Sequence, residues 1–110
     1  MVDFEDQTVA VTGGGRGIGR EACLQFAECG ADVVVNDIGG DSSGAGADKR
    51  LADAVVEKIE AVGGTATADY GDISNWKGAA GIVETALETF GELDIVYNNL
   101  ASFRRTPSST

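Results

Sequence analysis

The chain is 110 residues long, enough for one domain with a modest core, and carries 18 acidic against 8 basic side chains for a net charge of −10. That balance argues against binding to nucleic acid or to an anionic membrane surface through charge. The complete lack of histidine excludes a Cys/His metal site and every His-based catalytic triad.

Met1-Val-Asp-Phe-Glu-Asp6 has neither the basic start nor the apolar core of a secretory leader. No apolar run approaches the about 20 residues of a membrane span. A soluble, cytoplasmic protein is expected. Thr8-Val-Ala-Val-Thr12 is a short β-branched run of strand type, cut off by a glycine cluster. Apolar residues then recur at Ile18, Ala22 and Phe26, four apart, the spacing of one helix face. The helix runs to about Cys29 and stops at Gly30, suited to a C-cap. A strand, a glycine turn and a helix in that order cradle an anion, because the N–H groups at the helix start point outward with partial positive charge. Gly13, Gly17 and Gly19 follow Thr12 at a spacing that is neither G-x-G-x-x-G nor a Walker loop. Cys23 and Cys29 lie on this helix, six residues and roughly 600° of rotation apart, so they are not expected to bond to each other.

Asp32-Val-Val-Val-Asn-Asp37 shows no alternation through its valines, as expected for a parallel strand buried on both faces. Asp37 ends it, 18 residues beyond Gly19. A carboxylate there accepts hydrogen bonds from the ribose hydroxyls of an adenosine and repels a 2′-phosphate, which favours NAD over NADP. Arg16 pulls the other way, since a basic side chain in the loop suits a 2′-phosphate. Residues 38–48 form a loop rich in Gly, Ser and Asp. Leu51, Val55, Ile59 and Val62 then mark a helix from Lys49 to Val62, ended by Gly63-Gly64. Thr65 to Tyr70 is a weaker third strand, followed by Asp72-Ile73 and by Ser74 as N-cap. Trp76, Ala79/Ala80, Val83, Ala86/Leu87 and Phe90 mark the apolar stripe of the next helix, closed by Gly91. Leu93 to Tyr97 is the fourth strand, ending in Asn98-Asn99.

Strand and helix alternate throughout, and right-handed crossovers then make an α/β, doubly wound parallel sheet of Rossmann type, here partial, with spatial order 3-2-1-4. The ligand crevice falls between strands one and four, at their carboxyl ends. Gly13–Gly19, Asp37, Asp72 and Asn98-Asn99 all converge there.

Thr12-Gly-Gly-Gly-Arg-Gly-Ile-Gly19, the acidic end of strand two, Asp72-Ile73 and Asn98-Asn99 together resemble the N-terminal half of the short-chain dehydrogenase/reductase family. The resemblance covers residues 7–99. It implies an oxidoreductase acting on a hydroxyl/carbonyl pair, with full-length relatives assembled as homo-oligomers. It also implies that Asp72 bonds the adenine amino group, that the Ile73 backbone meets the ring, and that Asn98 and Asn99 brace the sheet beside the cofactor. The candidate cofactor-binding residues are therefore Gly13, Arg16, Gly17, Ile18, Gly19, Asp37, Asp72, Ile73 and Asn99. Val33-Val-Val-Asn-Asp-Ile-Gly-Gly-Asp41, with the long Gly/Ser loop and Ala61-Val-Gly-Gly64, is similar to the 3-hydroxyacyl-CoA dehydrogenase unit of multifunctional β-oxidation enzymes.

The chain departs from the family in two ways. The family's catalytic serine, Tyr-x-x-x-Lys pair and helix asparagine lie beyond the double-asparagine strand, and neither Tyr70 nor Tyr97 has a lysine four residues on. No proton donor for hydride chemistry can be assigned, so no catalytic residue and no metal ligand is expected. The alternative to an enzyme is a non-catalytic, truncated nucleotide-binding fragment. A methyltransferase-like doubly wound protein would also end strand two with an acid, but the loop spacing and the Asn pair disfavour it. Secondly, residues 100–110 hold no acidic group, the only proline and a run of Ser/Thr. The chain thus divides into a 1–99 dinucleotide-binding half-domain and a polar 100–110 tail. Loss of one base from GCT-GGC-ATC-CTT-C turns the family's Ala-Gly-Ile-Leu into the Leu-Ala-Ser-Phe found at 100–103, which points to a reading-frame slip.

Overall fold

The computed structural model describes residues 4–15, 17–38, 50–73 and 75–98. Its elements run β1 (Thr8–Thr12), α1 (Gly17–Glu28), β2 (Asp32–Asn36), α2 (Arg50–Ala61), β3 (Thr65–Asp69), α3 (Trp76–Phe90) and β4 (Ile95–Asn98). The four strands form one sheet in the order β3-β2-β1-β4, and every pairing is parallel. This is the Rossmann-type order expected from the alternation of strands and helices.

The valine runs are buried because both sheet faces are covered. Val9 and Val11 of β1, with Val33 and Val35 of β2, face Cys23 of α1 and Ala52, Val55 and Ile59 of α2. Ala10 and Val34, one residue out of phase, face Ile82 and Ala86 of α3 on the other side. Side chains of a strand alternate between faces, so an unbroken apolar run serves two helical layers at once. Phe26 of α1 stands edge-on between Phe4 and Tyr97, with ring centroids 5.2 and 5.9 Å away, and ties the start of the chain and β4 to the first layer.

Helix phase is where periodicity misleads. In α1 the core face is Gly19 and Cys23 with Phe26 and Ala22 beside it, and Ile18 is exposed instead of leading that face. In α3 the buried residues are Ile82 and Ala86, while Trp76, Val83 and Leu87 of the expected stripe are exposed. The reason is that α3 docks through its small and polar side. Gly78 lies against the backbone of Gly71 and Asp72, and Thr85 bonds Asp69. Those two contacts rotate the large apolar residues off the sheet. The N-cap of α3 is Asn75, whose side chain accepts from the Gly78 N–H at 2.7 Å; Ser74, expected in that role, lies outside the described residues. Val62 is exposed past the end of α2, where Gly63 turns the chain at φ 91°. The fourth strand begins at Ile95, because Asp94 is spent on a reciprocal pair with Thr8: its N–H donates to the Thr8 carbonyl and its carboxylate accepts the Thr8 N–H. Among the described residues no helix is long and apolar enough to cross a membrane.

Candidate functional site

The registers align four polar residues across the carboxyl ends of the strands. Thr12 stands opposite both Asn36 and Asn98, and Asn36 opposite Asp69. The row is hydrogen-bonded in two pairs: Thr12 Oγ1 donates to Asn98 Oδ1 at 3.0 Å, and Asn36 Nδ2 donates to Asp69 Oδ2 at 2.7 Å. In open parallel sheets this end of the strands is where ligands sit. The row forms its floor.

The glycine loop rises from β1 onto this floor. Gly13 has φ 64° and Gly17 φ 58°, a left-handed backbone that costs other L-residues about 1–2 kcal/mol. Between them the chain is pinned to β2. The Gly14 N–H donates to the Asn36 carbonyl at 2.7 Å, and the Gly15 N–H donates to Asp37 Oδ2 at 2.9 Å. A Cβ on Gly15 would lie 2.7 Å from that carboxylate oxygen and 2.8 Å from Leu51 Cβ, so only glycine fits. At Gly17, by contrast, a Cβ would meet nothing within 4 Å. The loop is closed on the side of β2 and open at the first turn of α1.

Asp37 is 4% exposed, buried where an aspartate at a strand end would ordinarily be solvated. Its N–H donates to the Asp69 carbonyl at 3.0 Å, extending the sheet pairing by one residue. Beneath the loop, Cys23 Sγ lies 3.8 Å from the Gly14 carbonyl oxygen. Burial, and secondarily the nearby Asp37 charge, pushes its thiol up to about 12. Both cysteines are free, as their spacing implied.

The other candidates are placed as follows. Ile18 and Gly19 occupy the first turn of α1, Ile18 outward and Gly19 buried. Asp72 is exposed just past β3, and its carbonyl accepts the Asn75 N–H at 3.2 Å. Ile73 is half-buried against the second core layer. Gly13, Asp37 and the 71–73 turn therefore stand at the same end of the sheet. Arg16 and Asn99 lie outside the described residues. Sequence reasoning missed Gly15, Asn36 and Asp69; the signal for the last two was a polar residue ending each strand at the same register. Among the described residues no group of His, Cys, Asp or Glu is arranged to hold a metal ion.

A parallel 3-2-1-4 sheet with a glycine turn between its first strand and helix, and an acid ending its second strand, defines a doubly wound fold of Rossmann type. A sequence profile of the short chain dehydrogenase family matches residues 7–109, and the chain belongs to that family. It is 47% identical over 103 residues to peroxisomal multifunctional enzyme A of Dictyostelium discoideum, a match that covers 94% of this chain and 23% of that protein. In three dimensions it is similar to a short chain dehydrogenase from Mycobacterium avium, with TM-score 0.81 and 46% identity over 97% of this chain and 39% of that one. A 7α-hydroxysteroid dehydrogenase complexed with NADH and 7-oxo glycochenodeoxycholic acid superposes with TM-score 0.75 at 32% identity, covering 86% of this chain and 33% of that one. The chain thus spans well under half the length of these relatives.

Proposed function

We propose that this chain is the cofactor-binding portion of a short-chain dehydrogenase and holds NAD in preference to NADP. One observation carries the reading: a buried aspartate at the end of β2 is tied to the glycine loop through the Gly15 N–H. That bond places a negative charge beside the loop, where an adenosine ribose is received and a 2′-phosphate repelled. The open first turn of α1 supports a dinucleotide there, since even a Cβ on Gly17 would meet nothing within 4 Å. Gly13, Gly17, Ile18 and Gly19 would hold the pyrophosphate on the α1 N-terminus, and Arg16 would be the loop's one basic side chain toward the cofactor. Asp37 would hold the ribose, Asp72 and Ile73 the adenine, and Asn99 would support the sheet beside the nicotinamide. When bound, the nicotinamide supplies hydride exchange with a hydroxyl/carbonyl pair. The residues of this chain bind and orient.

A 3-hydroxyacyl-CoA is the substrate class supported by the likeness of Val33–Asp41 to the dehydrogenase unit of multifunctional β-oxidation enzymes. The 110 residues contain no Tyr-x-x-x-Lys, and the Tyr70 hydroxyl is already given to Asp53. The purified chain is therefore a binder without turnover: mixed with NAD and a 3-hydroxyacyl-CoA it produces no reduced-nicotinamide absorbance. Titration calorimetry with NAD and NADP tests the cofactor reading. NAD binds more tightly, and Asp37→Ala narrows the gap; NADP preferred by the unmodified chain would sink it.

A further inference from the structure

Asp69 has no place in the reading above, yet its carboxylate ties together three parts of the fold at the site. It ends β3, is 9% exposed, and accepts from three separate elements. Oδ2 takes the Asn36 amide of β2 at 2.7 Å and the Gly71 N–H at 3.2 Å. Oδ1 takes the Thr85 hydroxyl of α3 at 2.9 Å. Asn36 closes a ring by donating also to the Gly71 carbonyl at 3.1 Å. Each of these donors is neutral. A carboxylate buried among neutral donors is costly, and what it provides in return is two acceptor oxygens and no proton of its own. An amide in its place would offer one acceptor and turn an N–H₂ toward Asn36, Gly71 or Thr85. Asn36 Nδ2 and the Gly71 N–H can only donate, the Thr85 hydroxyl can donate or accept, and the carboxylate charge strengthens all three bonds.

What these bonds hold is the turn that carries Asp72 and Ile73. Gly71 is bonded through both its N–H and its carbonyl, and Asp72 and Ile73 follow directly. From the other side the turn rests on α3 at Gly78, where a Cβ would be driven into the Asp72 carbonyl. The same network reaches Asp37, whose N–H donates to the Asp69 carbonyl at 3.0 Å. The ribose side and the purine side of the proposed pocket are therefore joined at one residue.

We infer that Asp69 is a positioning residue for the purine-binding wall, acting through the 71–73 turn and touching no ligand itself. This rests on the reading that Asp72 and Ile73 receive the adenine. Asp69→Asn, which keeps the size and removes the charge, is the test. Titration with NAD and with nicotinamide hypoxanthine dinucleotide, which lacks the adenine amino group, gives the first readout. The unmodified chain binds NAD about tenfold more tightly; in Asp69→Asn that ratio falls toward one. A merely structural defect would weaken both ligands alike and leave the ratio standing, which would overturn the inference. Amide hydrogen exchange in the free chain gives the second readout: exchange at 71–73 rises about tenfold in Asp69→Asn while β1 and α1 hold their protection. Unchanged protection at 71–73, or a uniform rise across the chain, would also overturn it. Thr85→Val removes a single donor and repeats both measurements if Asp69→Asn does not fold. If the unmodified chain binds neither dinucleotide, the functional reading fails, and the exchange pattern alone decides whether Asp69 holds the turn.

Discussion

Gly15→Ala puts the geometry of the loop to a direct test. The added methyl would lie 2.8 Å from Leu51 Cβ and 2.7 Å from Asp37 Oδ2, well inside the roughly 3.5–4.0 Å at which carbon atoms pack. Neither neighbour yields cheaply. Leu51 Cβ is fixed to the backbone of α2, and the Asp37 carboxylate is held by the Gly15 N–H itself at 2.9 Å. Relief requires the loop to lift or α2 to move, an overpacking cost of about 1–3 kcal/mol, and lifting also stretches a charge-assisted hydrogen bond worth about 1.5–3 kcal/mol. For a domain of this size the first term alone lowers the melting temperature by roughly 5–20 °C. Because the displaced group is the one proposed to read the ribose, the NAD-to-NADP affinity ratio falls with it, by about tenfold for each 1.4 kcal/mol of discrimination lost. Gly17→Ala is the control. It meets no atom and strains only the backbone at φ 58°, so it weakens both dinucleotides alike and leaves their ratio intact. Calorimetric melting and titration of the two variants decide the matter. If Gly15→Ala melts within about 2 °C of the unmodified chain and keeps its cofactor ratio, the clamp between Asp37 and Leu51 does not exist.

Three further outcomes are expected. In the native chain at about pH 8 a thiol-exchange reagent modifies Cys29 and spares Cys23, which is fully buried with its thiol pushed up to about 12; two equally fast thiols would contradict this. Cys23 keeps its proton longer folded than unfolded, so its contribution to stability is whole below about pH 9 and is lost as the pH climbs toward about 12. Tyr70 adds to the same alkaline loss: its hydrogen bond to Asp53 raises it above its ordinary 10.0, and Tyr70→Phe flattens the decline in urea stability above that pH. Lastly, among the described residues β4 pairs on one side alone, with β1, and Val96 is 53% exposed beside the open edge. The 110-residue polypeptide therefore self-associates as salt screens its −10 charge. Light-scattering chromatography should show Val96→Lys shifted toward monomer, whereas a salt-independent monomer for the unmodified chain would refute the edge argument.

The alternation of strands and helices, the sheet order and the family were legible in the chain alone because they rest on local signals. Valine runs, glycine punctuation and a loop of fixed spacing survive whatever the rest of the molecule does. The positions of Gly13, Asp37 and Asp72 at strand ends followed from topology, since every parallel strand delivers its carboxyl end to the same rim. Side-chain facing was another matter. Periodicity placed Ile18, Trp76, Val83 and Leu87 on core faces, and all four are exposed. A helix turns about its axis to suit its closest contact, and for α3 that contact is Gly78 on the 71–72 backbone with Thr85 on Asp69, a docking onto the preceding turn and strand that the helix's own apolar periodicity does not register. The burial of Asp37, the glycine requirement at position 15 and the Asn36–Asp69–Thr85 network were decided at the same level. Each depends on where a second strand or helix comes to rest against the first, and a distance between two elements is a property of the packed molecule alone.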